Sequence, residues 1–276
     1  MKNLNDFVLE KLKLNKKSVQ SEYEYVPKNL IELQRIISDL SKKNDYLDAS
    51  IIDISNLDEL DNAFACANSS IIDVSGWDTK RVVSASYAFS NCFYLKKIIG
   101  IENWDTANMK DIRRMFSHAK SLEELDLSKW NVSNIEKING LFVTCSNLKT
   151  VGDLSNWKFT NSLKLYNMFA GCSKIKDLGD LSNWNIKTTS MFNMFSGCES
   201  LEHIGDISDW DVSDCSIAAQ LFYKCKKLND VGDLTKWTFK KFFVNDNDKT
   251  RFMDIFYESP LDEKFKMWGQ RIIKKR

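Results

Sequence analysis

Large aromatic residues recur along the chain at a nearly fixed interval. Tryptophans are spaced 26 or 27 residues apart, and a series of phenylalanines keeps almost the same interval. The members are Trp77, Trp104, Trp130, Trp157, Trp184, Trp210 and Trp237, with Phe64, Phe89, Phe116, Phe142, Phe169, Phe195 and Phe222. Such a period is typical of stacked repeats, in which each unit covers the apolar face of its neighbour. The pattern predicts one continuous repeat array.

The segment 121–145 indicates what one repeat is built from. Leu122, Leu125 and Leu127 have the L-x-x-L-x-L spacing of a leucine-rich repeat strand. After Trp130, polar residues that favour turns are expected to reverse the chain. Apolar residues then fall at i, i+3, i+4 and i+7, which predicts a short helix; they are Ile138, Leu141, Phe142 and Cys145.

These elements predict an α/β repeat fold of the leucine-rich-repeat type, a solenoid with a short strand and a short helix in each 26 to 27 residue coil. Apolar stripes outside the array predict helical caps. The expected domains are an N-terminal leader with capping helices (1–48), the solenoid (49–240) and a C-terminal cap with a basic tail (241–276).

The repeats share the pattern D-[LI]-S-x-W followed by x-M-F-x-G-C-x-x-L, as in DLSNWKFTNSLKLYNMFAGCSKI. This pattern closely resembles the BspA-like leucine-rich repeats of bacteria, which also occur in mycoplasma lipoproteins. The resemblance covers about residues 53–239 and implies a right-handed solenoid that binds other macromolecules, often as an adhesin at the cell surface.

The N-terminal sequence indicates where in the cell the protein resides. Charged residues interrupt the apolar positions of residues 1–14, so we expect no signal peptide or lipobox and a cytoplasmic protein. The piece MKNLNDFVLEKLKLNKK is similar to short leaders on some bacteriophage proteins, which makes a virion location the alternative. A net charge of +1 and the lack of a long apolar run predict neither a nucleic-acid partner nor a membrane span.

Cysteines form a regular series at positions 92, 145, 172, 198 and 225. Successive packed helices would be too far apart for disulfides, and Ala119 takes the same position in one repeat, so a structural role is expected. Cys66 and Cys215 lie outside the series. Either could be a reactive thiol, with a buried inert thiol as the alternative.

Aspartates stand four residues before most of the tryptophans, at positions 73, 126, 153, 180, 206 and 233. We expect each to accept hydrogen bonds from the turn that follows it, with a calcium ladder as the alternative. His118 and His203 are the only histidines, and no catalytic motif accompanies them. The sequence therefore predicts no enzyme, no metal site and no cofactor.

The positions between the strand leucines vary while the frame repeats, so they are candidates for partner binding. One interpretation is charge pairing between repeats, and the other is a recognition strip for a protein. The function expected is a non-enzymatic protein-binding scaffold; the alternatives are a structural component of a bacteriophage particle or an adhesin relative that lost its signal. The candidate residues are Lys96, Lys97, Glu123, Glu124, Lys149, Lys176, Asp177, Glu202 and His203.

Overall fold

The structure, a computed structural model, describes residues 23–42, 45–239 and 250–274. Regular elements are few in this part of the chain. Helix α1 spans Leu30–Ser41 and helix α2 spans Leu261–Lys274. The strands are β1 (Tyr46–Asp48), β2 (Ile71–Asp73), β3 (Lys97–Ile99), β4 (Ser162–Lys164) and β5 (Lys187–Ser190). They form two parallel sheets, of order β1-β2-β3 and β4-β5.

The predicted fold class, a right-handed α/β solenoid with a strand and a helix in every coil, is wrong. The described residues hold two α-helices and two small sheets of three and two strands. Where the sequence predicted a helix in each repeat, the chain makes consecutive turns. Where it predicted a strand, most repeats make a single parallel bridge, such as the one between Glu124 and Thr150.

Left-handed backbone conformations explain why the predicted helices do not form. In the segment 138–145, Gly140 has a φ of 66° and Thr144 a φ of 59°. A right-handed helix cannot contain such residues, and the local bonds run to carbonyls three residues back. The N–H of Phe142, between the two, donates to the carbonyl of Met168 in the next repeat. This path buries the same i, i+3, i+4 and i+7 positions as a helix.

Stacked aromatic rings join the repeats, each of which we name by its tryptophan. Neighbouring phenylalanines have ring centroids 4.8 Å apart at the closest, between Phe64 and Phe89. The stack continues from Phe222 to Phe256 with centroids 5.9 Å apart, although 34 residues separate them. Backbone hydrogen bonds accompany this ring stacking; for example, the N–H of Phe222 donates to the carbonyl of Ile255. The predicted burial of the aromatic series is confirmed.

The two helices lie against the first and last of these layers. Leu33 and Ile37 are the buried residues of α1, and Phe265 of α2 stacks on Phe256 with centroids 5.2 Å apart. No helix in the described ranges has the length and apolarity needed to cross a membrane. The predicted leader, residues 1–17, and the last two residues of the basic tail lie outside the described residues. The domain boundaries stay predictions.

Candidate partner-binding groove

A recessed groove crosses the Trp104, Trp130 and Trp157 repeats on the side that carries the candidate residues. Its volume is about 760 Å³, within the range of sites that hold ligands or short peptide segments. The groove is lined by Lys96, Lys97, Ile98, Ile101, Glu102, Glu123, Glu124, Leu125, Asp126, Ser128, Thr150, Gly152 and Asp153. Four of the nine candidate residues therefore line one cavity.

The recess coincides with a difference in length between the three repeats. Segments 95–104 and 148–157 each run from a buried leucine to the buried tryptophan, and the middle segment, 122–130, is one residue shorter. The groove thus lies where a shorter segment stands between two longer ones.

The groove combines an apolar floor with charged walls. Ile98, Ile101 and Leu125 form the floor and are at most 5% exposed. Lys96 and Lys97 are exposed at one end of the Trp104 segment. Carboxylates line the rest of the groove, so a bound segment would meet apolar contacts below it and charges beside it.

Ion pairing divides the charged residues of the groove into two groups. Glu123 pairs with Lys149 of the next repeat, and this hydrogen bond lowers the pKa of the Glu123 carboxyl. In contrast, Lys96, Lys97 and Glu124 form no direct ion pair with any residue in the described part of the chain, although Lys96 interacts electrostatically with Glu123, and Glu124 with Lys149. These three charges are therefore less fully satisfied within the chain than that of Glu123.

Outside the groove, the other candidate residues form bonds both within their own repeat and to a neighbouring repeat. Glu202 pairs with Lys227 at 3.2 Å, and Asp177 accepts the N–H of Gly179 at 2.8 Å. His203 is exposed and forms a backbone bridge with Asp177. Lys176 is exposed and does not line the groove. Charge pairing between repeats thus accounts for part of the predicted strip, and the groove for another part.

Two exposed aromatic residues that precede the groove lysines in the sequence were not predicted as part of a site. Phe93 and Tyr94 are 46% and 63% exposed, and they immediately precede Leu95 and the groove lysines. An alignment of the repeats would have revealed them, because the later repeats carry polar residues at the two positions equivalent to Phe93 and Tyr94. Those pairs are Lys120 and Ser121, Ser146 and Asn147, Ser173 and Lys174, Glu199 and Ser200, and Lys226 and Lys227.

Comparison with known proteins places these repeats in a family. Residues 58–184 and 147–256 match the family described as "Mycoplasma protein of unknown function, DUF285", and together the matches span well over half of the chain. The chain belongs to the DUF285 family. This agrees with the predicted relation to BspA-like repeats at the level of a mycoplasma repeat family. The chain matched neither a curated protein nor a solved structure.

The whole groove lies within the first DUF285 match, and so do the buried thiols nearest to it. Cys145 is fully buried, and its Sγ donates to the carbonyl of Phe116 at 2.9 Å. Burial raises the pKa of Cys145 to about 12. The same bond joins Cys92 to Phe64, Cys172 to Phe142, Cys198 to Phe169 and Cys225 to Phe195. The predicted structural role of the series is confirmed.

The two cysteines outside the series differ from each other. Cys215 is buried, and burial raises the pKa of its thiol to about 11, so it is poorly suited to act as a nucleophile. Cys66 is exposed, with a left-handed φ of 63°. Of the two candidate thiols, only Cys66 is accessible to a reagent.

The aspartate series of this DUF285 chain forms turns, as predicted. Each aspartate accepts the backbone N–H of the residue two positions later, at 2.9 to 3.1 Å; the bonds join Asp73 to Ser75, Asp126 to Ser128, Asp153 to Ser155, Asp180 to Ser182, Asp206 to Ser208 and Asp233 to Thr235. Within the described ranges, no three His, Cys, Asp or Glu side chains converge as metal ligands would.

His118 takes a backbone position that glycine occupies in later repeats. Its φ is 61°, and Gly171 and Gly197 have φ values of 77° and 76°. A left-handed backbone is thus common to this position in three repeats, and no helix ends there. The Nδ1 of His118 is hydrogen-bonded to the Oγ1 of Thr144. Burial, followed by the charges of Arg114 and Lys120, lowers the pKa of His118.

Proposed function

We propose that this protein binds a protein partner through the groove of the Trp104, Trp130 and Trp157 repeats, and that it catalyses no reaction itself. The observation that carries the proposal is the groove's combination of an apolar floor with Lys96, Lys97 and Glu124, whose charges are not paired in the described part of the chain. Outside the groove, some of the equivalent charges pair between repeats, as Glu202 does with Lys227.

The two exposed aromatic residues are a second argument that a partner binds on this surface. Large aromatic side chains are enriched among the residues that contribute most to protein interfaces. Phe93 and Tyr94 stand beside the groove lysines, and no other repeat carries aromatic residues at both of these positions. Solvent-exposed aromatic residues next to an apolar recess are typical of a surface that a partner covers.

The resemblance to BspA-like leucine-rich repeats adds a separate line of support, because it implies binding to other macromolecules. The cytoplasm is the location that we propose for this activity. Fractionation of the cells that produce the protein tests the location, and recovery in purified phage particles would contradict it.

Site-specific photo-crosslinking tests the proposed surface. A photoreactive amino acid is placed at Glu124 in the groove and, as a control, at Glu136, an exposed position of the same repeat outside the groove. We expect one defined protein adduct from position 124 in cells and none from position 136. Equal yields from both positions, or no adduct from position 124, would contradict the proposal.

Charge reversal shows whether the adduct depends on the groove itself. Lys96→Glu, Lys97→Glu and Glu124→Lys are combined with the crosslinker placed at Thr150, another lining residue. The matched control exchanges the charges of an ion pair outside the groove, with Glu199→Lys and Lys226→Glu. The groove variant should lose the adduct, and the exchanged pair should retain it.

A further inference from the structure

Besides Glu123 and Glu124, the groove lining includes one carboxylate from each of its three repeats. Glu102 belongs to the Trp104 repeat, Asp126 to the Trp130 repeat and Asp153 to the Trp157 repeat. We call these three residues the acidic row. Asp126 and Asp153 take equivalent positions, four residues before their tryptophans, and Glu102 lies two residues before Trp104. A segment that crosses the three repeats would therefore meet a carboxylate from each of them.

The balance of charge in the groove is negative. The lining contains five carboxylates and two lysines, and Glu123 is already paired with Lys149. The lining thus carries three more carboxylates than lysines, while Lys149 and Lys129, which lie outside the lining, interact with Glu124 and Asp126. From this balance and the apolar floor we infer that the groove binds an extended peptide segment bearing lysine or arginine beside apolar residues. The inference rests on the proposed function and specifies the chemistry of its partner.

The turn structure fixes two carboxylates of the row in place. Oδ1 of Asp126 accepts the N–H of Ser128 at 3.1 Å and its hydroxyl at 2.6 Å, and these bonds lower the pKa of Asp126. Oδ1 of Asp153 accepts the N–H of Ser155 at 2.9 Å. Oδ2 of either residue accepts no hydrogen bond from the described residues. A charged, oriented oxygen is therefore presented to a basic side chain at little entropic cost.

The remaining surfaces fit the same occupant. Ile98 and Leu125 offer apolar contact beneath the segment. The exposed ring of Tyr94 is available for stacking by an arginine guanidinium. Lys96 and Lys97 would repel a basic residue at their end of the groove, so they select a segment whose positive charges face the acidic row.

Peptide binding to the full chain tests this inference. Three fluorescent nine-residue probes are compared by anisotropy: alternating lysine and valine, alternating glutamate and valine, and alternating lysine and serine. We expect the lysine and valine probe to bind most tightly, with an affinity that falls as salt rises. The lysine and serine probe should bind more weakly because it cannot use the apolar floor.

A matched pair of double variants locates the binding. Asp126→Asn with Asp153→Asn removes charge in the groove, whereas Asp206→Asn with Asp233→Asn removes equivalent turn carboxylates outside it. We expect the first pair to weaken binding of the lysine and valine probe by about fivefold or more, and the second to leave it unchanged. Circular dichroism melting checks that both variants fold alike.

Three outcomes overturn the inference: no binding of the lysine and valine probe, equal loss in both double variants, or tighter binding of the glutamate and valine probe. The last outcome would mean that Lys96 and Lys97 select an acidic segment. None of them contradicts the crosslink from position 124, so failure of the inferred chemistry is distinguishable from failure of the proposed function.

Discussion

Trp104 and Trp130 stack with ring centroids 6.3 Å apart and planes 3° from parallel, yet their indole N–H groups differ. Nε1 of Trp130 donates to the carbonyl of Ile101 at 3.1 Å. Nε1 of Trp104 is buried and has no hydrogen-bond partner in the described part of the chain. The five other tryptophans of the series make the bond that Trp130 makes. The repeat that begins the groove thus lacks one link to its neighbour.

This difference predicts unequal costs for the same substitution. Trp130→Phe and Trp104→Phe remove similar apolar area, but only the first breaks a hydrogen bond. We expect Trp130→Phe to lower the free energy of unfolding by about 1 kcal/mol more than Trp104→Phe does. Urea unfolding followed by circular dichroism measures the difference.

Two related points concern the substitution of Trp130. Trp130→Ala should cost about 3 to 5 kcal/mol, because it also removes the stacked ring. The carbonyl of Ile101 keeps the N–H of Trp104 as a donor, so Trp130→Phe leaves no buried acceptor unpaired. An equal or greater cost for Trp104→Phe would show that Nε1 of Trp104 has a partner in solution.

Thiol accessibility gives a second prediction. Six of the seven cysteines are buried, and Cys66 is exposed. We expect iodoacetamide at pH 8 to add one label to the native protein and seven labels after denaturation, because the reagent attacks exposed thiolates. Intact-mass spectrometry counts the labels.

The variant Cys66→Ser is the control for this experiment and should take up no label in the native state. A label on native Cys215 would revive the idea of a nucleophile at that position. Slow labelling of Cys145 together with the other buried thiols would instead report opening of the stack.

Acid should destabilise the protein through the turn aspartates. Hydrogen bonds from Ser128, Ser208 and Thr235 hold the pKa values of Asp126, Asp206 and Asp233 below the ordinary 3.8. A lowered folded pKa means that the stabilisation is present at neutral pH and is lost as the pH falls through the folded value. The urea midpoint should therefore decline below about pH 4.

The triple variant Asp126→Asn, Asp206→Asn, Asp233→Asn tests the cause of this decline. Asparagine keeps an oxygen for the turn but cannot be protonated in this range. The variant should show a shallower dependence of the urea midpoint between pH 6 and pH 3. A slope as steep as that of the unmodified protein would assign the acid sensitivity to other carboxylates.

The sequence predicted the contacts between repeats better than the elements within them. The positions of the tryptophan, phenylalanine, cysteine and aspartate series reflect burial and turn bonding, and those environments recur in most repeats. Helix and strand could not be inferred from the same residues. A left-handed residue at Gly140 or Thr144 leaves the buried positions of the segment unchanged, so apolar spacing cannot distinguish successive turns from a helix.

The groove was only partly predictable, for a related reason. Variation between repeats pointed to Lys96, Lys97, Glu123 and Glu124. The recess coincides with the one-residue difference in length of the Trp130 segment. The 26-residue interval before Trp130 does not reveal this difference by itself, because the same interval precedes Trp210, where the segment 201–210 keeps ten residues. Which charges are paired depends on the distance between side chains of adjacent repeats, and the sequence does not give that distance.

A last prediction concerns glycines that pack against the turn aspartates. Gly179 has a φ of 81°, and a Cβ there would lie 1.9 Å from Oδ1 of Asp153. Gly197 has a φ of 76°, but its nearest neighbour would be 3.5 Å from the added Cβ. Alanine should cost about 1 to 2 kcal/mol at either position because of the left-handed backbone.

At Gly179 the added methyl group must also displace Oδ1 of Asp153 from the N–H of Ser155, so Gly179→Ala should cost about 1 kcal/mol more than Gly197→Ala. Repeating both substitutions in an Asp153→Ala background isolates this contribution. With the carboxylate gone, the difference between the two alanine variants should shrink to the small cost of the added Cβ lying 3.2 Å from the backbone nitrogen of Ser155. A difference that persists undiminished in this background would place the strain in the backbone around residue 179 and not in its contact with Asp153.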